Sequence, residues 1–187
     1  MATFRSSDPW PYGARLKEML AALLEAAGKT GRPYAIGGAV AMAAAGYKRH
    51  TDDVDVFILN KDRLVWMQTL REIGLKVDPV FMGHHYTAWH PKGDVRIDVL
   101  IPDEAFEVSA IKHPEMARLG DLSFHAFGPV TLAAMKFIAS ENVPSYLQDV
   151  YAMLERGLFD RGLVRQIIAK IEPDALGRYD RLIMKRR

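Results

Sequence analysis

The stretch Arg49-His50-Thr51-Asp52-Asp53-Val54-Asp55-Val56-Phe57-Ile58 follows a polar loop and alternates with period two from Asp53 onward. Successive strand side chains point to opposite faces, so Val54, Val56 and Ile58 take one face and Asp53, Asp55 and Phe57 the other. The apolar set fixes its face in a core, which sends Asp53 and Asp55 together toward an opening, about 6–7 Å apart at Cα given ~3.3 Å of rise per residue. Two carboxylates so placed repel each other unless a cation joins them. A hard, oxygen-preferring ion, Mg²⁺ or Mn²⁺, meets that need. Asp52 falls on the wrong face and reads as a loop carboxylate.

Working upstream, Gly46 to Asp52 is a polar loop carrying Lys48, Arg49, His50 and Thr51. Before it, Tyr34-Ala35-Ile36 reads as a short strand, followed by Gly37-Gly38 and an Ala-rich run to Ala45 that favours helix. Glycines at a strand-to-helix turn let backbone N–H groups approach phosphate oxygens. On this reading a β-branched side chain at Gly38 blocks phosphates without touching Asp53 or Asp55. Further upstream, Leu16, Met19, Leu20, Leu23, Leu24 and Ala27 recur at three and four, predicting a helix from Gly13 that ends at Gly28.

Downstream, Asn60 is expected to cap a helix over Lys61 to Ile73, closed by Gly74. A strand-rich stretch follows from Leu75 to His90, with Pro79 as an edge or bend. Val95 to Ile101 alternates again, with Val95, Ile97, Val99 and Ile101 opposite Arg96, Asp98 and Leu100. Asp98 supplies a third oxygen ligand if this strand lies beside the Asp53 strand. Between Pro102 and Phe127 the pattern suggests a loop or short helix, then edge strands around Val108 to Ile111 and Leu122 to Phe127. After Gly128 helices are expected: one begun by Pro129 with Leu132, Met135, Lys136 and Ala139, one begun by Pro144, and two more around Leu163 to Ile171 and Ala175 to Lys185. The division is therefore an α+β core over residues 1–128 and a helical C-terminal subdomain over residues 129–187.

Composition bounds the rest. The 187 residues are 49% hydrophobic and 26% charged, an ordinary globular balance that excludes a disordered or fibrous chain. With no cysteine there is no disulfide, thiolate metal site or cysteine nucleophile, and a reducing, cytoplasmic setting is expected. The longest apolar stretch, Ala35 to Gly46, is well short of the ~20 residues that span a bilayer. The N-terminus, with Arg5, Asp8 and two prolines before Lys17, does not read as a cleaved signal. The net charge is only +2, so no chain-wide nucleic-acid field is implied. Locally, Arg178, Arg181, Lys185, Arg186 and Arg187 crowd the C-terminus. Arg178, Arg181 and Lys185, at spacings of three and four, form a candidate stripe for an RNA acceptor such as tRNA; the plainer reading is a solvated terminal helix.

Taken in order, Ile36-Gly37-Gly38-Ala39-Val40-Ala41, the Arg49 to Ile58 stretch and Val95-Arg96-Ile97-Asp98-Val99-Leu100 resemble the nucleotidyltransferase superfamily of the DNA polymerase β type. The resemblance is greatest to small bacterial members that include the AbiEii and MenT-type toxins. It continues through Val130-Thr131-Leu132-Ala133-Ala134-Met135-Lys136, similar to a helix with a lysine near nucleotide phosphates, and Leu147-Gln148-Asp149-Val150, similar to the aspartate-bearing helix after it. It implies a mixed β-sheet with flanking helices and a reaction that moves an NMP from an NTP to an acceptor hydroxyl with two divalent ions. Asp53, Asp55 and Asp98 would hold the ions, with Asp98 as base. Gly37, Gly38, Thr51 and Lys136 would hold the triphosphate, and Lys48 and Arg49 would offset its charge. The acceptor is left open between RNA, a small molecule and a protein, and a toxin-like member would have an antitoxin partner. Ser140 to Ser145 departs from the arginine-rich stretch that relatives often carry there.

Two other classes are compatible with the same residues: an inactive binding module of this fold, and a metal-dependent phosphohydrolase. His84, His85, His90 and His125 invite a zinc site, but consecutive His84 and His85 on a strand point to opposite faces. Phe81, Tyr86 and Trp89 are candidates for stacking a base, although aromatics on strands are more often core.

Overall fold

In the computed structural model, which describes residues 10–78 and 84–185 and the backbone of residues 3–6, the alternating stretches are strands of one sheet. The strands are β1 (Thr3–Ser6), β2 (Tyr34–Ile36), β3 (Asp53–Ile58), β4 (Lys76–Val77), β5 (His85–Trp89), β6 (Arg96–Leu100), β7 (Glu115–Leu119) and β8 (Leu122–Ala126). Their order across the sheet is β1-β7-β8-β2-β3-β6-β5-β4. The helices are α1 (Ala14–Thr30), α2 (Gly38–Ala44), α3 (Arg63–Glu72), α4 (Ala105–Lys112), α5 (Pro129–Ala139), α6 (Ser145–Glu155), α7 (Arg161–Ile171) and α8 (Leu176–Tyr179). The fold is α+β, and the sheet is mixed: β3 runs parallel to β6 and antiparallel to β2, while β8 runs parallel to β2 and antiparallel to β7.

The parallel β3–β6 pair positions the site. Its register sets Asp53 against Arg96 and Asp55 against Asp98, so all four share one face of the sheet. The opposite face, with Val54, Val56, Ile58, Ile97 and Val99, is fully buried. Leu16, Leu20 and Leu23 of α1 and Trp66 and Leu70 of α3 belong to the same core, and α1 packs on α3 and across β3 and β6. Burying that face fixes the register of both strands, because a one-residue slip would exchange the carboxylates for the valines.

Local structure departs from the sequence pattern in four places. Gly28 lies inside α1, which runs to Thr30 and ends at Gly31 in the left-handed region (φ 58°), whose N–H returns to the Ala27 carbonyl. Asn60 makes no capping hydrogen bond; it opens a short 3₁₀ turn before α3. Val108 to Ile111 is helix α4 rather than an edge strand. The two alanines favour helix, Glu107 stands in the first turn and Lys112 in the last, matching the helix dipole. The sheet edge is formed instead by the β7–β8 hairpin and β1. The C-terminal segment is not one α-helix: a 3₁₀ turn, α8 and a π-helical turn over Asp180–Met184 follow one another. Pro79, Phe81, Arg186 and Arg187 lie outside the described residues. Among the described residues, no helix is long and apolar enough to cross a membrane.

The same C-terminal segment breaks up the basic stripe. Arg178 turns inward, donating to Ser140 Oγ at 2.9 Å and the Phe137 carbonyl at 2.8 Å, with its guanidinium 4.3 Å from the Phe137 ring centre. It thereby caps the C-terminal end of α5, where a cation is favoured. Arg181 and Lys185 are exposed. Arg178→Gln is therefore expected to lower stability by about 1–2 kcal/mol, as loss of charge-assisted bonds does, whereas Arg181→Gln and Lys185→Gln should stay within ~0.5 kcal/mol of the parent. Urea denaturation of the three variants tests the difference.

Candidate active site

The three carboxylates that the sequence singled out stand on adjacent strands, and two of them, Asp53 and Asp98, are restrained by neighbouring side chains. Asp53 accepts a short hydrogen bond from Thr51 Oγ1 and an ion pair from Arg96 Nη2 at 2.9 Å. Asp98 accepts from Arg96 Nε at 3.1 and 3.0 Å and from Thr87 Oγ1 at 3.1 Å. The Arg96 guanidinium thus bridges Asp53 and Asp98. Asp55 has no such partner. Burial, then the charges of Asp53 and Asp98, push its carboxyl up to about 6, against the opposing pull of Lys136 and Arg49.

Gly37 and Gly38 are shaped by this carboxylate. The Gly37 N–H donates to the Asp55 carbonyl at 2.9 Å, which ties the turn to β3. Gly38 has φ +55°, and a Cβ there would run into the Asp55 carboxylate; a Cβ at Gly37 would stand 2.6 Å from the Phe57 ring. A substitution at Gly38 therefore does not spare Asp55, contrary to the sequence expectation. Glycine is required because the carboxylate lies directly over the turn, in a conformation that L side chains rarely adopt.

Lys136 and Asp149 meet across α5 and α6. Lys136 Nζ lies 2.8 Å from Asp149 Oδ2, with both side chains only 8% exposed, and 4.1 Å from the Tyr146 ring centre. Burial lowers the Lys136 pKa, and Asp149 opposes that shift. Asp149 also takes Arg49 Nε at 3.4 Å and a hydrogen bond from Tyr47 hydroxyl at 3.3 Å. Arg49 itself donates to the His50 carbonyl.

Beside this network is a cavity of about 260 Å³, lined by Gly37, Gly38, Arg49, Asp55, Lys136 and Tyr146 at one end and by Phe57, Leu100, Glu107 and Phe127 at the other. A wider cleft of about 850 Å³ is lined by Tyr12 and Arg15 near the start of α1 and by Lys48, Arg49, His50, Thr51 and Asp52 of the loop before β3. Lys48 is exposed at its rim. Arg49 is the residue common to both spaces.

Asp53, Asp55, Asp98, Gly37, Gly38, Thr51, Arg49 and Lys136 are thus gathered in one region, with Thr51 turned to Asp53. Arg178, Arg181 and Lys185 lie on the C-terminal segment and line neither space. The four histidines do not share one site: His84 pairs with Asp103, His90 with Glu18, and His125 lies against Tyr34, whereas His85 Nε2 lies 3.3 Å from Thr87 Oγ1 and 3.8 Å from Asp98 Oδ1, beside the carboxylates. Among the described residues no three His, Asp or Glu side chains converge as a ready metal cage. The Asp53, Asp55 and Asp98 donor set nonetheless suits a hard divalent ion: all oxygen, crowded enough to raise Asp55, and bridged by a guanidinium where a cation's charge is needed. Tyr86 is core, and Trp89 donates to Asp78 at 2.7 Å.

Sequence reasoning missed Arg96, Thr87, Tyr47 and Tyr146. Arg96 carried a usable signal, its place two residues before Asp98 on the same strand face. The other three are brought in by pairings between strands and helices that no local spacing encodes.

Solved structures similar to this one share its fold at low identity. The solution structure of the antibiotic-resistance factor ANT(2'')-Ia is 17% identical, covering 88% of this chain and 93% of its own, with a TM-score of 0.59. A crystal structure of ANT(2'')-Ia in complex with adenylyl-2''-tobramycin is 16% identical, covering 89% and 95%, with a TM-score of 0.56. No curated protein matches the sequence. The family match is decisive: residues 16–111, just over half of the chain and the span that contains β3, β6 and all three carboxylates, match the family described as nucleotidyl transferase of unknown function (DUF2204), and the chain belongs to that family.

Proposed function

We propose that this nucleotidyltransferase moves an NMP from an NTP to a hydroxyl of a small polar acceptor, with Asp53, Asp55 and Asp98 holding divalent cations, Mg²⁺ or Mn²⁺. The observation that carries the reading is the in-register Asp55–Asp98 pair on parallel strands, beside a cavity lined by Arg49 and Lys136 and a wider cleft that shares Arg49 with it. When bound, such ions neutralise phosphate charge and make a hydroxyl more acidic.

The chain's own residues do the rest. Lys136 and Arg49 face the smaller cavity and offset the triphosphate's charge there. Thr51 and Arg96 fix the orientation of Asp53. The acceptor enters by the wider cleft, whose volume suits a drug-sized molecule and whose walls carry Arg15, His50, Asp52 and Asp94. Its hydroxyl oxygen attacks the α-phosphorus in line, the bond to the β-phosphate oxygen breaks, and pyrophosphate leaves. Asp98 takes the hydroxyl proton at Oδ2, which Thr87 leaves open and which the Arg96 Nε–H must first release. A small acceptor is preferred to RNA because Arg178 is committed to the end of α5, which leaves Arg181 and Lys185 of the three-residue stripe.

The deciding experiment incubates the protein with each NTP and Mg²⁺ or Mn²⁺, adding either polyhydroxylated small molecules, aminoglycosides among them, or total RNA. Pyrophosphate released only with a small acceptor supports the proposal. Label in RNA overturns the acceptor, phosphate release without acceptor indicates a hydrolase, and failure to bind any NTP indicates a binding module without activity.

Three variants probe the electrostatics. The folded state holds the Asp55 proton to a higher pH than the unfolded chain, so between about pH 4 and pH 6 the folded state binds more protons and its stability falls as pH rises. Above pH 6 the penalty is complete. Asp55→Asn should therefore stabilise the metal-free protein by roughly 1–3 kcal/mol at pH 7, with the gain fading toward pH 4, while abolishing transfer. Denaturation in EDTA at both pH values checks it; an equal effect at pH 4 and pH 7 contradicts it. The second variant, Asp149→Asn, strips Lys136 of its buried counter-charge and should cost about 2–4 kcal/mol. Lys136→Met leaves Asp149 with Arg49 and Tyr47 and should cost less, yet weaken NTP binding in calorimetry.

A further inference from the structure

We infer that Arg96 is a tethered cation that occupies the oxygens of Asp53 and Asp98 in the metal-free protein and competes with divalent ions for them. The inference rests on the metal-binding role proposed for those carboxylates. The β3–β6 register places Arg96 directly across from Asp53, and the pleat places it on the same face as Asp98 two residues later. Nη2 reaches Asp53 Oδ2 at 2.9 Å, and Nε reaches both oxygens of Asp98 at 3.1 and 3.0 Å. A cation held by these oxygens must share them with a guanidinium or displace it. Asp55, the third carboxylate, has no contact with Arg96 of this kind and remains the one with the raised proton affinity.

Displacement is mechanically open. The guanidinium carbon also lies 5.6 Å from the Trp89 ring centre, and Trp89 is anchored by its bond to Asp78. Released from Asp53, the planar guanidinium keeps an aromatic face to rest against. The side chain is about one-third exposed, so neither its movement nor the approach of an ion is blocked by packing. A residue of this kind keeps the carboxylates apart from one another and aligned before the ion arrives. Its removal frees them for the ion at the expense of the metal-free fold.

A purely structural arginine predicts the opposite response to its loss: lower stability with unchanged or weaker metal binding. The experiment titrates nucleotide-free protein with Mn²⁺ alone and reads free Mn²⁺ by electron paramagnetic resonance, comparing the parent with Arg96→Gln, Arg96→Lys and Asp53→Asn. Arg96→Gln should bind Mn²⁺ about three- to tenfold more tightly and show a larger rise in thermal midpoint on saturation. Arg96→Lys, which keeps the charge, should remain closer to the parent. Equal or weaker binding by folded Arg96→Gln overturns the inference. If Asp53→Asn binds Mn²⁺ like the parent, the metal-site reading falls and this inference with it; loss of binding in Asp53→Asn alone leaves Arg96 to be judged on its own variant. Should Arg96→Gln fail to fold, the parent answers directly: its ¹⁵N-labelled Arg96 Nε–H resonance, assigned by its absence in Arg96→Lys, must shift as Mg²⁺ binds, and an unmoved signal under saturating Mg²⁺ overturns the inference.

Discussion

Parallel pairing of β3 and β6 sets three carboxylates on one face of one sheet, and the surrounding structure is arranged to contain that charge. The pairing is forced from behind. Val54, Val56, Ile58, Ile97 and Val99 are buried together under α1 and α3, and roughly 1.5–3 kcal/mol for each such side chain outweighs the repulsion between surface-facing aspartates. The core thus pushes like charges together, and local chemistry limits the cost: Thr51 on Asp53, Thr87 on Asp98, Arg96 between them, and no side chain at Gly38 to displace Asp55. The remaining cost falls on Asp55, whose proton affinity is raised first by burial and then by the charges of Asp53 and Asp98.

The helical part contributes the complementary charge. Lys136 is buried only because Asp149 faces it from the next helix, and Asp149 in turn gathers Arg49 from the loop before β3 and Tyr47 beside it. One carboxylate therefore joins α5, α6 and the loop that precedes the catalytic strand. An ion pair so enclosed is a weak source of net stability. Its consequence is geometric: the cationic wall of the smaller cavity is held at a fixed distance from the anionic face of the sheet. Under the proposed function, Arg49 and Lys136 would offset the charge of a triphosphate while Asp53, Asp55 and Asp98 would hold its divalent ions.

Much of this was legible in the chain. Period-two alternation in Asp53 to Ile58 and Val95 to Ile101 gave the strands and their faces, because burial on one side leaves a clean pattern. The order of glycines, paired aspartates, third aspartate and lysine picked out residues that the fold gathers in one region. What escaped depends on contacts between segments distant in sequence. Val108 to Ile111 is a β-branched and apolar run by composition, but its helical state is set by Ala105, Glu107, Ala110 and Lys112 around it. Arg178 looked like a surface cation because helical spacing places it beside Arg181. The π-helical turn and the open C-terminal end of α5 redirect it inward. The requirement for glycine at position 38 was visible, but its cause was not, since Asp55 lies 17 positions later and reaches Gly38 only through the β2–β3 pairing.

Arg49 connects these observations to a direction of reaction. It is the single side chain shared by the smaller cavity and the wider cleft, and it pairs with Asp149 on the side of Lys136. In-line displacement at phosphorus needs the attacking and leaving oxygens on opposite sides of the reacting centre. Under the proposed reaction, two spaces that meet at one guanidinium would give the acceptor and the triphosphate separate approaches. Thr51, which lines the wider cleft, holds Asp53 by a hydrogen bond, and Asp55 lines the smaller cavity, so the proposed acceptor would sit beside the first carboxylate of β3 and the proposed triphosphate beside the second.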